Sequence, residues 1–571
     1  MRNFNNMQYN VLRKGLLTAG FIMAVSAMFA QAVGTSKVIV SRGFSPTLND
    51  ATKIKRNPAV PDTVYQNPKF NYEIHSKVVE SPFKVNTIKP AKMHGEPLSK
   101  LYKNYIAGGF GNYTTPYFEF YHSNTRSRDT KFGIHAKHLS SAGSITDYAY
   151  PGFSNNLLET YYTKIYKKSM LSTNAKFKRD VVHLYGFKPS ELDSGIVVPV
   201  DNDIKQVYTL GELKMNWKRY RKRAKDMDYN VDLDYHYLQD NFSTSENIVE
   251  LKSDMDWNVN FINALTEQRF GGSINYGFYN NNWDSLATRN SSLLRLEPYY
   301  AFRYRTLFVK IAVASDVSID SVTVVNFYPQ LDMKLEAIKK ILYFNFSISG
   351  GMQKNTLKDY SDENPFISSN LPMDYTNHRY RVNFGLGSTI SRELDFNLQL
   401  HYNSLEHAPL YVTDYSGLYD NTFKVVYDDY DEVRFRAGFA WQKQEHLRFM
   451  LMADYYIYNM TDELFAWHKP NYKVTLSGNY NIGNKIILKM ELFGNGPSKA
   501  LVETTNVTGV KITGPQTIKG YFDANLGVEY RYRKRLGIFL NLNNIAASKY
   551  YRFYNYPSYR FNAMLGLSYI F

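Results

Sequence analysis

The strongest constraint on this chain is period-two alternation held over ten or more residues at a time. In "YFDANLGVEYRY", Phe522, Ala524, Leu526, Val528, Tyr530 and Tyr532 share one face, opposite Asp523, Asn525, Gly527, Glu529 and Arg531. "DEVRFRAGFAW" sets Val433, Phe435, Ala437, Phe439 and Trp441 against Arg434, Arg436 and Gly438. "HLRFMLMADYY" sets Leu447, Phe449, Leu451, Ala453 and Tyr455 against Arg448 and Asp454, and "NYKVTLSGNYNIG" and "VDLDYHY" repeat the pattern. Side chains alternate across a strand, so each segment reads as a strand with one oily and one polar face. A soluble sandwich alternates too, but ordinary strands run about 5–6 residues.

The connections separate the two cases. Short polar turns such as "SREL" (391–394), "QKQEH" (442–446), "NIGNK" (481–485) and "RKR" (533–535) alternate with longer connections at 353–376, 404–431, 496–517 and 546–557. "RSRD" (126–129) reads as one more polar turn. Short turns at one end and long loops at the other mark a transmembrane barrel. In lipid every backbone N–H and C=O needs an internal partner, and for strands only a closed sheet supplies one. The expected fold is therefore all-β, a closed antiparallel transmembrane β-barrel with short periplasmic turns and longer extracellular loops. Counting back from residue 571 in up-and-down pairs reaches 101–109 with about 22 strands.

The final segment, "NAMLGLSYIF" (562–571), fits such a seam. Loose chain ends are usually polar, whereas here Leu565, Leu567, Tyr569 and Phe571 form an apolar row. They are expected to face lipid, with Gly566 and Ser568 facing the lumen and the last strand pairing with the first.

Composition agrees. Aromatic residues make up 16% of the chain, with 49 Tyr, 36 Phe and only 5 Trp. Tyrosine suits both sheets and the water–lipid boundary. With no cysteine there is no disulfide framework, thiolate nucleophile or cysteine-ligated metal. The formal charge of +16 is dispersed rather than gathered into a stripe, which argues against nucleic-acid binding. Lipid head groups or a lumen account for it better.

Residues 1–32 read as a secretory signal: Arg13-Lys14, the apolar run "GLLTAGFIMAVSAMF", then Ala30-Gln31-Ala32 as a small-x-small site. Residues 33–100 hold seven of the twenty prolines and read as an irregular periplasmic or lumen segment, with one short strand at "KVIVS" (37–41). The barrel is expected over 101–571.

The run "LGIFLNLNNIAASKYYRFYNYPSYRFNAMLGLSYIF" (536–571) resembles the end of TonB-dependent receptors, through Asn543, Asn544, Ile545, Tyr550, Tyr551, Tyr556, Pro557 and Phe571. The resemblance implies residence in the cell outer membrane, contact with its lipid, and insertion by the barrel-insertion machinery. That machinery would read Leu565, Leu567, Tyr569 and Phe571 as its signal. A usual family member carries a globular plug inside the barrel. Here only 68 residues lie between the expected cleavage site and 101, and "KVIVS" matches a TonB box faintly, so the likeness is to a plug-reduced relative and does not extend to engagement of TonB. The lumen is expected to be filled by 33–100 together with lumen side chains and inward loops.

Candidate chemistry is sparse. His135 and His138 are three apart, on opposite faces of a strand, and do not form a metal pair. "DDYDE" (428–432) reads as a solvated loop before a strand rather than a calcium site. No nucleophile elbow or HExxH segment appears, and no enzyme, catalytic residue, cofactor or metal is expected. Arg434, Arg436, Arg448, Asp454, Asp523, Glu529 and Arg531 are expected to face inward as a polar lumen network. The Tyr-rich loop 549–561 fits either a grip on an external ligand or partner, or an interfacial aromatic girdle. The leading function is binding or passage of solutes across the outer membrane. The alternative is a structural or assembly subunit that holds partner proteins of the outer membrane or periplasm.

Overall fold

The computed structural model describes Glu73 and residues 101–571, except 193, 221–225, 284–286, 506–510 and 534. The expected signal, the 33–100 segment and its short strand at 37–41 lie outside the described residues.

Twenty-two strands form one antiparallel sheet, each paired with the next along the ring. The ring closes where the first strand, Asn104–Gly111, pairs with the last, Asn562–Ile570, in a register running from Tyr105 opposite Ile570 to Gly111 opposite Met564. Phe571 completes the seam: its backbone N–H donates to the Asn104 carbonyl at 3.0 Å, and its carbonyl accepts from Lys103 and Asn104 at 3.2 and 3.0 Å. Two hairpins stand outside the ring, Ser498–Thr505 with Lys511–Ile518, and the very short Tyr551–Phe553 with Tyr556–Pro557.

The alternation sorts as expected. Leu565 is 60% exposed and Leu567 56%, so with Tyr569 and Phe571 they present an apolar row outward. On the inner side Gly566 leaves room for a neighbouring ring: a Cβ there would lie 2.1 Å from Phe539 Cζ. Phe539 spans the sheet from Gly566 to Gly109, where the corresponding distance is 3.2 Å, and Tyr117 packs edge-on against it at 6.0 Å. Large aromatic cover over strand glycines pins the register of the seam. Leu567→Arg is expected to destabilise the folded barrel by about 2–4 kcal/mol, the cost of a charge on the lipid face near mid-membrane. The drop in urea midpoint of vesicle-inserted protein measures it, and an unchanged midpoint would mean that this row does not face lipid.

The two ends differ as their physics requires. At the end that holds both chain termini of the barrel, the reversals are tight, and Gly483 and Asn484 take left-handed φ values of 57° and 58° to make one of them. Exposed Tyr304 and Tyr532 sit there beneath Arg305 and Arg533, whose guanidinium carbons lie 5.4 Å from the ring centres. This is the aromatic and basic boundary of the apolar belt.

At the other end the strands rise well past the roughly 9–11 residues that a membrane needs. Leu394–Asp414 has 21 residues and Thr422–Lys443 has 22. The long connection expected over 404–431 is therefore mostly strand, with a turn at 415–421. Its alternation is hidden over 408–413, where both faces are buried. Tyr411, Phe423 and Val425 face one apolar cluster, while Leu410 and Val412 pack with Trp467 in another. "DDYDE" lies within the same strand rather than in a solvated loop. Asp428 is 3% exposed, and its carboxylate accepts the backbone N–H groups of Asp429, Asp462 and Glu463 at 2.8, 3.0 and 3.0 Å.

Candidate functional site

The long loops turn inward and build an apolar core across the mouth of the barrel. Tyr208, Leu210 and Leu238 of the wall meet Leu357, Tyr360, Ile367, Leu371 and Met373 of the 355–374 loop, together with Phe553 and Tyr556 of the 544–561 loop. Phe366 and Tyr556 stack at 3.7 Å. Burying side chains of this size stabilises by about 1.5–3 kcal/mol each. The Tyr-rich loop thus turns part of its aromatic face inward: Phe553 and Tyr556 are buried, and the Tyr556 hydroxyl donates to the Asn421 carbonyl.

Polar groups fasten the 355–374 loop to the wall. Its helix, Leu357–Glu363, is capped by Thr356, whose hydroxyl accepts the Asp359 N–H at 3.1 Å. The two N–H groups that open the helix, of Leu357 and Lys358, donate to the carboxylate of Glu246 at 2.8 and 3.0 Å. Glu246 is fully buried and also meets His236 Nε2 at 3.0 Å. At the far end of the loop, Arg289 joins Asp320 and Asp374, each at 2.9 Å. Lys354 donates to the Met373 carbonyl at 2.6 Å, and the Trp283 indole N–H to that of Leu371 at 2.9 Å.

Next to this helix, Thr356, Lys358 and Asp359 border a polar lumen cavity of about 480 Å³. Its wall charges are largely matched. Lys176 pairs with Glu212 at 2.7 Å, Lys252 with Glu250 at 2.7 Å, and Arg295 with Asp316 at 2.6 Å.

The seven polar residues singled out in the sequence do not form one network. Arg436 and Asp454 make a two-pronged pair at 2.6 and 3.1 Å. Arg448, Glu529 and Arg531 border a separate cavity of about 480 Å³ near the turns, where Arg531 pairs with Glu529 at 2.9 Å. Asp523 accepts the N–H groups of Ala524 and Ala546 at 2.7 and 3.4 Å, which ties down the start of the 544–561 loop. Arg434 stands apart, with a buried Nε that has no hydrogen-bond partner among the described residues. His135 stacks on Tyr121 at 4.0 Å and meets Glu119 at 3.1 Å, while His138 meets Asn156 at 2.7 Å. Among the described residues, no three His, Asp or Glu side chains are grouped to hold a metal.

His468, in the 461–471 connection, joins the loops. Its Nδ1 donates to the Tyr411 carbonyl at 3.0 Å, and its Nε2 accepts the Tyr554 N–H at 3.3 Å. Both nitrogens are used in the neutral ring, and burial pushes its pKa down to about 4. An unfolded histidine titrates near 6.5, so the undocked loop binds more protons between pH 6.5 and 4. Docking at this point is expected to be complete above about pH 6.5 and to weaken on acidification toward pH 4. Hydrogen exchange of the 544–561 amides at pH 7 and 4.5 measures this. A His468→Gln variant should lose the pH dependence; a difference that persists in the variant would assign it to another group.

What this geometry defines is a transmembrane barrel whose outer mouth is filled by its own loops. A closed barrel with an apolar outer belt is an outer-membrane structure, which places the chain in the cell outer membrane. Among solved structures, the Neisseria meningitidis iron transporter FrpB matches with a TM-score of 0.62 and 10% identity, over 83% of this chain and 82% of that one. FpvA, the pyoverdine outer membrane receptor of Pseudomonas aeruginosa PAO1, matches at 0.61 and 12%, over 83% and 79%. The Acinetobacter baumannii siderophore receptor PirA matches at 0.60 and 8%, over 83% and 81%. The chain therefore has the fold of TonB-dependent receptor barrels, and at these identities the likeness is one of fold. No protein-family model matches the sequence, and no curated protein does.

Proposed function

We propose that this barrel binds solutes at its loop end and admits them to the lumen when the inward loops move. The observation that carries the reading is the mouth itself. A ring of 22 strands encloses a lumen wide enough to need filling, and among the described residues inward loops, including a 355–374 loop fastened by charged contacts, pack across its mouth. The similar structures are a pyoverdine receptor, an iron transporter and a siderophore receptor, and a solute that is bound or transported is the common thread. Defined cavities behind the mouth favour a solute over a purely structural or assembly role. Lipid around the belt, the insertion machinery at the seam strand and partner proteins at the rim are the partners that this reading admits; it does not require TonB.

Liposome swelling tests it. Wild-type protein is expected to pass sugars slowly, and a variant in which 357–371 is replaced by a short Gly-Ser linker to pass them at least about tenfold faster, the scale set by losing 1.4 kcal/mol of loop docking. Equal rates for the two proteins would overturn the reading.

A further inference from the structure

Two cavities at the loop end share Ile518, Lys519, Tyr521 and Tyr551 as common walls. The larger, about 610 Å³, is bordered by Tyr148, Tyr521, Tyr550, Tyr551 and Tyr554. Tyr521 and Tyr550 stack at 4.1 Å, and the Lys549 ammonium lies 4.5 Å from the centre of the Tyr148 ring. The smaller, about 270 Å³, collects five cations, Arg434, Lys469, Lys473, Lys519 and Arg552, against only Glu363 and Glu432.

The cations of this smaller cavity differ from several elsewhere in the lumen. Arg289, Arg295, Arg436, Lys176 and Lys252 all have carboxylate partners. Among the described residues, none of the five does. Lys469 donates to the Tyr430 hydroxyl at 2.7 Å, Arg552 to the Glu363 backbone carbonyl at 3.3 Å, and the Nε of Arg434 is buried without a partner. Lys473 lies 5.9 Å from the centre of the Tyr456 ring. Like charges gathered in a partly enclosed polar site repel, and an unpartnered buried N–H is costly. An oxyanion among them relieves both, and guanidinium groups suit its planar or tetrahedral oxygens.

We propose that the paired cavities form one binding site for a ring-bearing multivalent oxyanion. The ring lies among the tyrosines of the larger cavity, and the oxyanion sits in the smaller one, facing Arg434, Lys473 and Arg552. The proposal rests on the reading that solutes bind at the loop end and gives that solute a chemical class. Tyrosine faces accept flat or sugar-like rings with little regard to identity, while the charge excess selects against neutral and cationic molecules.

Calorimetry on the full-length protein in detergent tests this, with phenyl phosphate, isophthalate, inorganic phosphate and phenol as probes. Folding of every variant is checked by heat-modifiable gel migration. Phenyl phosphate or isophthalate is expected to bind, and whichever is tighter distinguishes a phosphoryl from a carboxylate end. Inorganic phosphate should bind several-fold more weakly and phenol not measurably. Arg434→Gln combined with Lys473→Gln is expected to weaken binding by about tenfold or more, the effect of losing charge-assisted hydrogen bonds. Tyr550→Ala should remove the advantage of phenyl phosphate over phosphate and leave phosphate binding intact. Absence of binding by both ring-bearing anions, or affinity undiminished in the folded double variant, would overturn the site. Swelling rates are read separately, so binding without flux would sink the transport reading and leave this site standing.

Discussion

Replacing Glu246 by Gln is expected to make the barrel leak. Its buried carboxylate accepts two backbone N–H groups at the start of the 357–363 helix, one on each oxygen. Glutamine has the same shape but offers one oxygen, and sets an NH₂ group against the second N–H. Hydrogen bonds to a charged partner are worth about 1.5–3 kcal/mol each. Losing one outright and the charge on the other should raise the undocked population of the loop about tenfold or more. The apolar core keeps the rest of the mouth in place, so the variant should fold and assemble normally. Planar-bilayer recordings are the measurement: frequent openings are expected for the variant, against a quiet wild type. Identical records from folded proteins would show that this anchor does not hold the mouth shut.

The largest effect on stability is expected at Asp316. Its side chain is fully buried, grips Arg295 through both oxygens at 2.6 Å, and accepts the Met352 N–H at 2.6 Å. Arg295 in turn lies over Gly351, where a Cβ would come within 1.7 Å of its guanidinium. The pair therefore needs a glycine two strands beyond Asp316, on Leu342–Lys354, as well as each other. Asp316→Asn leaves the partly buried Arg295 guanidinium without its counter-charge, a loss of up to about 3–5 kcal/mol. Adding Arg295→Met removes the orphaned charge and should recover much of that loss, because replacing both members of a buried pair is far milder than removing one. Urea midpoints of the wild type, the single variant and the double variant measure the coupling. A double variant no more stable than Asp316→Asn would contradict it.

Much of the barrel is legible in the residue order. Where a strand lies between lipid and a polar lumen, as at 521–532 or 562–570, each face has its own solvent and the alternation is written out in full. Where both faces are covered, as at 408–413, that signal vanishes and the strand looks like a loop. The candidate site is legible only in composition. The Tyr-rich stretch at 549–561 stands out, but nothing local says that Phe553 and Tyr556 turn into a core while Tyr550, Tyr551 and Tyr554 border a cavity. Arg434 and Arg436 look alike two residues apart on one strand face; the neighbouring strand gives Asp454 to Arg436, and among the described residues the Nε of Arg434 has no hydrogen-bond partner.

By itself the sequence determined a closed, lipid-facing antiparallel sheet, because period-two segregation over so many long segments has no other way to satisfy the backbone in hydrocarbon. Tertiary structure alone decided which residues cross the mouth of the ring and where its unbalanced charge collects. Those outcomes depend on contacts between residues as far apart as Glu246 and Leu357, or Arg434 and Arg552, and only the closing of the barrel brings such positions together.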